Sequence, residues 1–167
     1  ILESTEVPGL FLAGDVTGVP LIKNAILQGV QAADAAHRAL PSRPRAADAI
    51  DVCVVGAGPA GISCALRLSE LGASVVTLEQ GGVAQSIKSF PRGKLVFDQP
   101  LELPVAGKLW LKESSKEELL LHWMRIVRKE GLAVREHTRM AEIVRTPDGL
   151  FAVHTIDADD RPGVVRA

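Results

Sequence analysis

The sequence predicts an α/β protein: a parallel sheet dressed with helices, and a β-hairpin after the third parallel strand. Three observations predict it. Residues 50–55, "IDVCVV", form a nearly continuous β-branched run, as in a strand buried on both faces of a parallel sheet. A glycine-rich turn, a helical stretch and a second apolar run, "SVVTLE", follow at the spacing of a βαβ unit. A further helix and strand then lead to two alternating segments around Pro147-Asp148-Gly149, a strong hairpin signal. Helices that alternate with strands in this way place the chain with the Rossmann-like folds.

The elements follow in order. Residues 10–13 are a short apolar run entered through Pro8-Gly9, read as a buried strand. From Pro20 the period becomes helical, with Ile22, Ala25, Ile26, Gly29, Val30, Ala33 and Ala36 in one stripe of small residues suited to close packing. Residues 41–49, "PSRPRAADA", combine prolines and charges without period and read as a linker. The helix of the βαβ unit spans about Pro59 to Leu71 and stops at Gly72. Residues 80–112 are a long stretch without clear period, read as a packed loop because it holds Phe90, Phe97 and Trp110. Ser114-Ser115 and Glu117-Glu118 offer a capping box in either register for a helix that ends before Gly131. "LAVRE" reads as the third parallel strand, and "RPGVVRA" as the start of another.

Composition narrows the function. Of the 167 residues 47% are hydrophobic and 23% charged, as in an ordinary globular protein; aromatics are 4% with no Tyr, so Val, Leu, Ile and Ala build the core. A net charge of −1 with scattered basic residues argues against nucleic acid or an anionic membrane as partner. Cys53 and Cys64 form no C-x-x-C pair and read as structural thiols. His37, His122, His137 and His154 lack metal-ligand spacing, so no metal is expected. No apolar run approaches a membrane span and no signal peptide is visible, so the expected location is the cytoplasm.

The chemistry is concentrated in "GAGPAG". Gly56, Gly58 and Gly61 stand between a strand and a helix, and each glycine serves a different need there. The needs are a tight turn, backbone approach to a pyrophosphate, and close helix–sheet contact. With Pro59 and Ala60 they place phosphates at a helix N-terminus, whose free N–H groups and dipole favour anions. Glu79 ends the next strand, followed by Gln80. A carboxylate there bonds a ribose 2′-OH and repels a 2′-phosphate, which leaves FAD or NAD as the dinucleotide. The competing reading is a tight βα turn without a ligand.

"TEVPGLFLAGD", residues 5–15, resembles the second FAD signature of the flavoproteins with two dinucleotide domains, the thioredoxin-reductase- and glutathione-reductase-like pyridine-nucleotide oxidoreductases. The resemblance covers residues 4–40 and 51–155, and the loop "GGVAQSIKSFPRGKLVFDQPLELP" is similar to that of the bacillithiol-disulfide-reductase type. It implies FAD as cofactor, with Gly14 and Asp15 at its ribityl chain and phosphate, and with Leu21 and Ile22, after Pro20, facing the isoalloxazine. It implies NAD(P)H as donor, bound by a domain that these residues do not include, and an acceptor that is a small molecule or a redox protein. A helix N-terminus there suits the negative charge of reduced flavin. Two alternatives stay open for single residues: Asp15 as a helix cap or Asx-turn residue, and Lys23 as a solvated lysine rather than an electrostatic tuner. No residue is assigned as catalytic acid, base or nucleophile.

Two departures qualify the resemblance. Reductases of this type can carry a cysteine just before the last glycine of the motif, where this chain has Ala60; thiol–disulfide chemistry is therefore in doubt. The signature that closes the family's chains comes here before the one that opens them. The expected organisation is residues 1–40 as the closing FAD segment of one module, 41–49 as linker and 50–167 as the opening segment of the next, in an excerpt of a longer polypeptide. A circular permutation explains the order as well. Alternatives for function are a non-catalytic dinucleotide-binding or interaction module, and the FAD domain of a monooxygenase or amine oxidase.

Overall fold

The computed structural model describes residues 2–41, 47–93, 95–96, 101–103, 107–109 and 114–167. Helix α1 (Ile22–Ala39) buries Ala25, Ile26, Gly29, Ala32, Ala33 and Ala36, the stripe that the helical period marks. It begins two residues after Pro20, with Leu21 as N-cap in an extended conformation. Strand β1 (Val52–Val55), helix α2 (Pro59–Glu70) and strand β2 (Val75–Leu78) form the βαβ unit, with β1 and β2 paired in parallel from Val52–Val75 to Val55–Leu78. Gly72, at φ 77°, lies just past the helix end, a left-handed conformation that glycine adopts without a Cβ penalty.

The stretch after β2 contains a single turn of helix, α3 (Gln85–Lys88), and the short strands β3 (Leu95–Val96), β4 (Leu101–Leu103), β5 (Gly107–Leu109) and β6 (Ser114–Ser115). These pair as β3 with β6 and β4 with β5, both antiparallel. Phe90 packs against the core, whereas Phe97 and Trp110 lie outside the described residues. Helix α4 (Lys116–Lys129) opens on the capping box in its second register: Ser115 accepts from the Glu118 N–H, and the Glu118 carboxylate accepts from the Ser115 N–H. Strand β7 (Val134–Arg135) then joins β2 in parallel and gives the sheet order β1–β2–β7.

The hairpin of β8 (Arg139–Arg145) and β9 (Phe151–Ile156) is extended by β10 (Pro162–Arg166) into a three-stranded antiparallel meander. Alternate residues of the meander face inward: Val153 and Val165 pack with Leu78 from the parallel sheet, Ile143 and Met140 alongside. At its edge the Arg166 guanidinium donates to Asp48 and Asp148, which ties the residues before β1 to the hairpin turn. That contact holds the Asp48 carboxyl below the usual carboxylate range.

The main core lies on the other side of the sheet, where Trp123 and Leu119 of α4 meet Ile62 and Leu66 of α2, Ile26 of α1, and Val83, Ala84 and Ile87. Helices α1 and α2 pack very closely. A Cβ at Gly29 would stand 2.2 Å from the Ala60 carbonyl oxygen and 2.3 Å from the Ser63 hydroxyl. The Ser63 Oγ, fully buried, lies 3.0 Å from the Ile26 carbonyl oxygen across the helix pair. Helix α1 is thereby joined to the βαβ unit through a tightly packed interface.

One expectation is corrected. Residues 10–13 are not a buried strand of the sheet: they make only an isolated antiparallel bridge, Phe11 with Glu3, and Leu12 is 45% exposed. The segment is extended as its residues favour, but no described strand lies beside it, so its apolar side chains stay half open.

Candidate functional site

The glycine loop is held by its own backbone. Gly56 adopts φ 99°, a conformation that favours glycine, and donates its N–H to the Leu78 carbonyl at 2.7 Å. Gly61 has to lack a side chain, because a Cβ there would lie 1.8 Å from the Gly56 carbonyl oxygen. Gly58 differs from both. Its φ of −79° is open to any residue, and an added Cβ would meet nothing within 4 Å. Neither strain nor packing within the chain calls for glycine at this position. It borders open space at the first turn of α2, where Pro59 occupies the first helical position and no side chain caps the free amides. Such a helix end is suited to a phosphate that approaches the backbone closely.

Glu79 is buried at 7% exposure, and both its oxygens are engaged. Oε2 accepts the Ala57 N–H and Oε1 the Gly81 N–H, each at 2.8 Å. The carboxylate therefore locks the glycine loop to the end of β2. Each oxygen keeps a lone pair after these bonds, so an additional hydroxyl donor can be accommodated. Gln80 is placed elsewhere: it is exposed and lines a polar cleft with Gly82, Gln85, His137, Arg139 and Asp157.

The sequence-distant segment meets the glycine loop at one point. A Cβ on Gly14 would lie 3.1 Å from the Ala60 Cβ, so the Gly14–Asp15 turn sits directly against the glycine loop. Gly14 (φ 88°) and Gly18 (φ 86°) flank a 3-10 turn over Asp15–Thr17. The Gln28 side-chain oxygen accepts the Gly14 N–H at 2.8 Å, and its amide pairs with the Thr17 hydroxyl. Asp15 makes no side-chain cap bond and its carboxylate has no partner among the described residues. Around it Leu12, Val16, Val19 and Leu21 are 41–69% exposed, while Ile22 packs against the main core. Asp15 and Leu21 thus sit in an open apolar patch beside the loop, with Ile22 anchoring the start of α1.

Two residues important to this geometry escape a reading of the sequence. Gln28 is a lone amide on a helix and carries no motif. Glu136, past the end of β7, accepts the Val83 N–H at 2.7 Å and, with the His137 N–H bonded to the Gly81 carbonyl, fixes the loop after Glu79. Neither is signalled by spacing, because each acts on backbone groups far away in sequence.

Both cysteines are shielded. Burial pushes the Cys53 thiol up to about 11 and the Cys64 thiol up to about 12, so both stay protonated at neutral pH. They are free thiols, not a disulfide. Among the described residues no group of His, Cys, Asp or Glu is placed to hold a metal ion, and no helix is long and apolar enough to cross a membrane.

Known proteins resemble this chain in sequence and in fold. Bacilliredoxin reductase Bdr of Bacillus subtilis (strain 168) is 23% identical over 105 residues, 61% of this chain and 32% of that protein. A probable electron transfer flavoprotein-ubiquinone oxidoreductase, mitochondrial, of Saccharomyces cerevisiae is 37% identical over 79 residues, 47% of this chain and 12% of that protein. Among solved structures, the bacillithiol disulfide reductase Bdr from Bacillus cereus superposes with a TM-score of 0.64 at 20% identity, covering 69% of this chain and 36% of that one. OTEMO in complex with FAD and NADP gives 0.57 at 21% identity, covering 73% and 25%. At such identities the superpositions carry the fold, and the chain spans about a third of the length of the Bdr proteins. The family described as pyridine nucleotide-disulphide oxidoreductase matches residues 53–160, more than half of the sequence, and runs from β1 through the meander. The chain belongs to the pyridine nucleotide-disulphide oxidoreductase family.

Proposed function

We propose that the chain is the FAD-binding part of an NAD(P)H-dependent flavoprotein oxidoreductase. Its electrons go on to a small-molecule or redox-protein acceptor. The observation that carries this reading is Gly58. Its lack of a side chain serves nothing inside the molecule, and it opens the α2 N-terminus to a pyrophosphate. Gly56 and Gly61 shape the loop, Pro59 and Ala60 begin the helix, and Glu79 adds a ribose hydroxyl to the two amides that it holds. Gly14 brings the unpartnered Asp15 to the same loop, in reach of the ribityl chain, and Leu21 and Ile22 form the apolar seat of the ring system. Gln80 contributes from the cleft beside the ribose. Bound flavin supplies the hydride chemistry; the residues of this chain bind and orient it.

We read residues 1–40 as the closing FAD segment of one module, 41–49 as linker and 50–167 as the opening segment of another. Together they belong to a longer cytoplasmic polypeptide whose nicotinamide-binding domain lies outside this chain. The α1–α2 interface supports the complementary nature of the two segments.

A spectrum of the full-length protein tests the proposal. A bound yellow flavin that bleaches anaerobically with NAD(P)H is the expected result, and absence of flavin after reconstitution with FAD overturns it in favour of a non-catalytic module. Asp15→Ala and Gly58→Glu should each abolish flavin retention. Ala60 favours a second reading, because it removes the thiol that some reductases place there. Bound flavin that NAD(P)H does not reduce would assign the chain to a monooxygenase- or amine-oxidase-like enzyme.

A further inference from the structure

The Glu79 carboxylate belongs to a ring of hydrogen bonds that closes through a residue outside the glycine loop. Glu79 Oε2 accepts the Ala57 N–H at 2.8 Å, and the Ala57 carbonyl accepts the Ala84 N–H at 2.9 Å. Ala57 is thereby gripped at both backbone polar groups, by Glu79 on one side and by residue 84 on the other. Ala84 is fully buried and stands at φ 56°, ψ 37°. A residue with a Cβ adopts this left-handed conformation only where its surroundings enforce it. The enforcement comes one residue earlier: Oε1 of Glu136 takes the N–H of the buried Val83 at 2.7 Å. The Lys88 ammonium closes in on the same spot, for a Cβ at Gly82 would stand 2.5 Å from Lys88 Nζ and 3.1 Å from that Oε1.

The ring returns to Glu79 along the backbone. The Glu79 N–H donates to the Arg135 carbonyl at 2.9 Å, and the Thr138 N–H donates to the Glu79 carbonyl at 2.8 Å. Between them His137, also left-handed at φ 53°, gives its N–H to the Gly81 carbonyl at 2.9 Å. The Gly81 N–H in turn reaches Glu79 Oε1 at 2.8 Å. Only two side chains act in this ring, Glu79 and Glu136; every other link is backbone. We propose that Glu136 is a positioning residue for Glu79: by holding Val83 and Ala84 it keeps Ala57 and the Glu79 carboxylate in the geometry that reads a ribose 2′-hydroxyl. The inference rests on the reading of the glycine loop as a dinucleotide site. The lone pairs that Glu79 has left are aimed by its bonds to Ala57 and Gly81, so a looser ring blurs their direction. A glutamate that merely tied down a surface loop would, on removal, weaken every nucleotide alike. A positioning residue changes the discrimination at one hydroxyl.

The test compares ADP with 2′-deoxy-ADP by calorimetry on the full-length protein after removal of any bound flavin. The wild type should bind ADP about 10-fold more tightly, as befits one hydrogen bond to a charged group. In Glu136→Ala the ratio should fall to roughly 2-fold or less, and the Val83 and Ala84 amides should exchange ~10-fold faster. Glu136→Gln, whose amide oxygen still accepts the Val83 N–H, should keep most of the discrimination. Glu136→Asp keeps the charge but draws the carboxylate back by one methylene, so it should behave as the alanine variant does, and it decides the matter if Glu136→Ala does not fold. An unchanged ratio in the alanine or aspartate variant overturns the proposal, as does an equal loss for both ligands; in either case the dinucleotide reading stands. A wild type that binds both nucleotides equally overturns the role of Glu79 and that of Glu136 with it. A wild type that binds neither, nor FAD, overturns the dinucleotide reading as well.

Discussion

The loop from Gly56 to Gly61 and the turn from Gly14 to Leu21 lie against each other, yet they are built on opposite terms. In the first, the polar groups that set the shape are bonded inside the chain: the Gly56 N–H to Leu78, the Ala57 N–H to Glu79, the Ala57 carbonyl to the Ala84 N–H. In the second, a carboxylate and three large apolar side chains, Val16, Val19 and Leu21, lie open. The difference teaches where each conformation comes from. A loop closed by its own hydrogen bonds exists before its ligand arrives; a turn with open groups is completed by something else. Substitutions in the first should therefore cost stability, and those in the second should cost binding.

The largest expected effect is at Gly61. A Cβ 1.8 Å from a backbone carbonyl cannot be accommodated by a side-chain shift, so Gly61→Ala should destabilise by about 3 kcal/mol or more, read as a lowered urea midpoint. Glu79→Ala comes next. It strands the buried Ala57 N–H and the half-buried Gly81 N–H, and a loss of about 2–4 kcal/mol is expected even in the protein without flavin. If Glu79→Ala leaves the apoprotein as stable as wild type, the contrast between closed loop and open turn fails. On the other side, Gly58→Ala and Asp15→Ala should each move stability by less than about 0.5 kcal/mol while flavin retention falls. A large change in the melting temperature of either variant would show that the turn is self-supporting after all.

The smallest effect is alkaline. The two thiols are raised in the folded state, so the unfolded chain ionises above the ordinary cysteine value of 9.0 while the folded chain stays protonated to about 11 and 12. Their contribution to stability is complete below pH 9 and is lost as pH rises towards 11. No tyrosine titrates in that window. A double variant Cys53→Ala, Cys64→Ala should have a flatter alkaline limb, measured by denaturant titration at pH 8 and pH 10.

Much of this fold is legible in the sequence because its signals are local. The β-branched run before "GAGPAG", the small-residue stripe of α1, the Ser115–Glu118 box and the Pro147-Asp148-Gly149 turn each carry their own cause within a few residues. Legibility fails where the cause lies far away. Residues 10–13 read as a buried strand, but burial depends on a neighbour that no described residue supplies. Gln28 and Glu136 hold distant backbone amides and leave no pattern. For the candidate site, the spacing of Gly56, Gly58, Gly61 and Glu79 announces a dinucleotide loop; that Glu79 spends two bonds on the loop itself becomes visible only in three dimensions. The contact of Gly14 with Ala60 depends on the packing of α1 on α2, which periodicity alone does not orient.

The closeness of that packing bears on how the sequence can change over generations. Gly29 faces the Ala60 carbonyl oxygen and the Ser63 hydroxyl, and the Ser63 Oγ has carbonyl oxygens of Ile26, Pro59 and Ala60 within 3.0 Å. The nearest of these atoms to a Cβ at Gly29 is backbone, so no trimming of a neighbouring side chain makes room, and the position should stay glycine through sequence drift. The Ala60 Cβ faces Gly14 instead. A bulkier or reactive residue at position 60 would have to evolve together with that turn, which couples the glycine loop to the ancestry of the first forty residues.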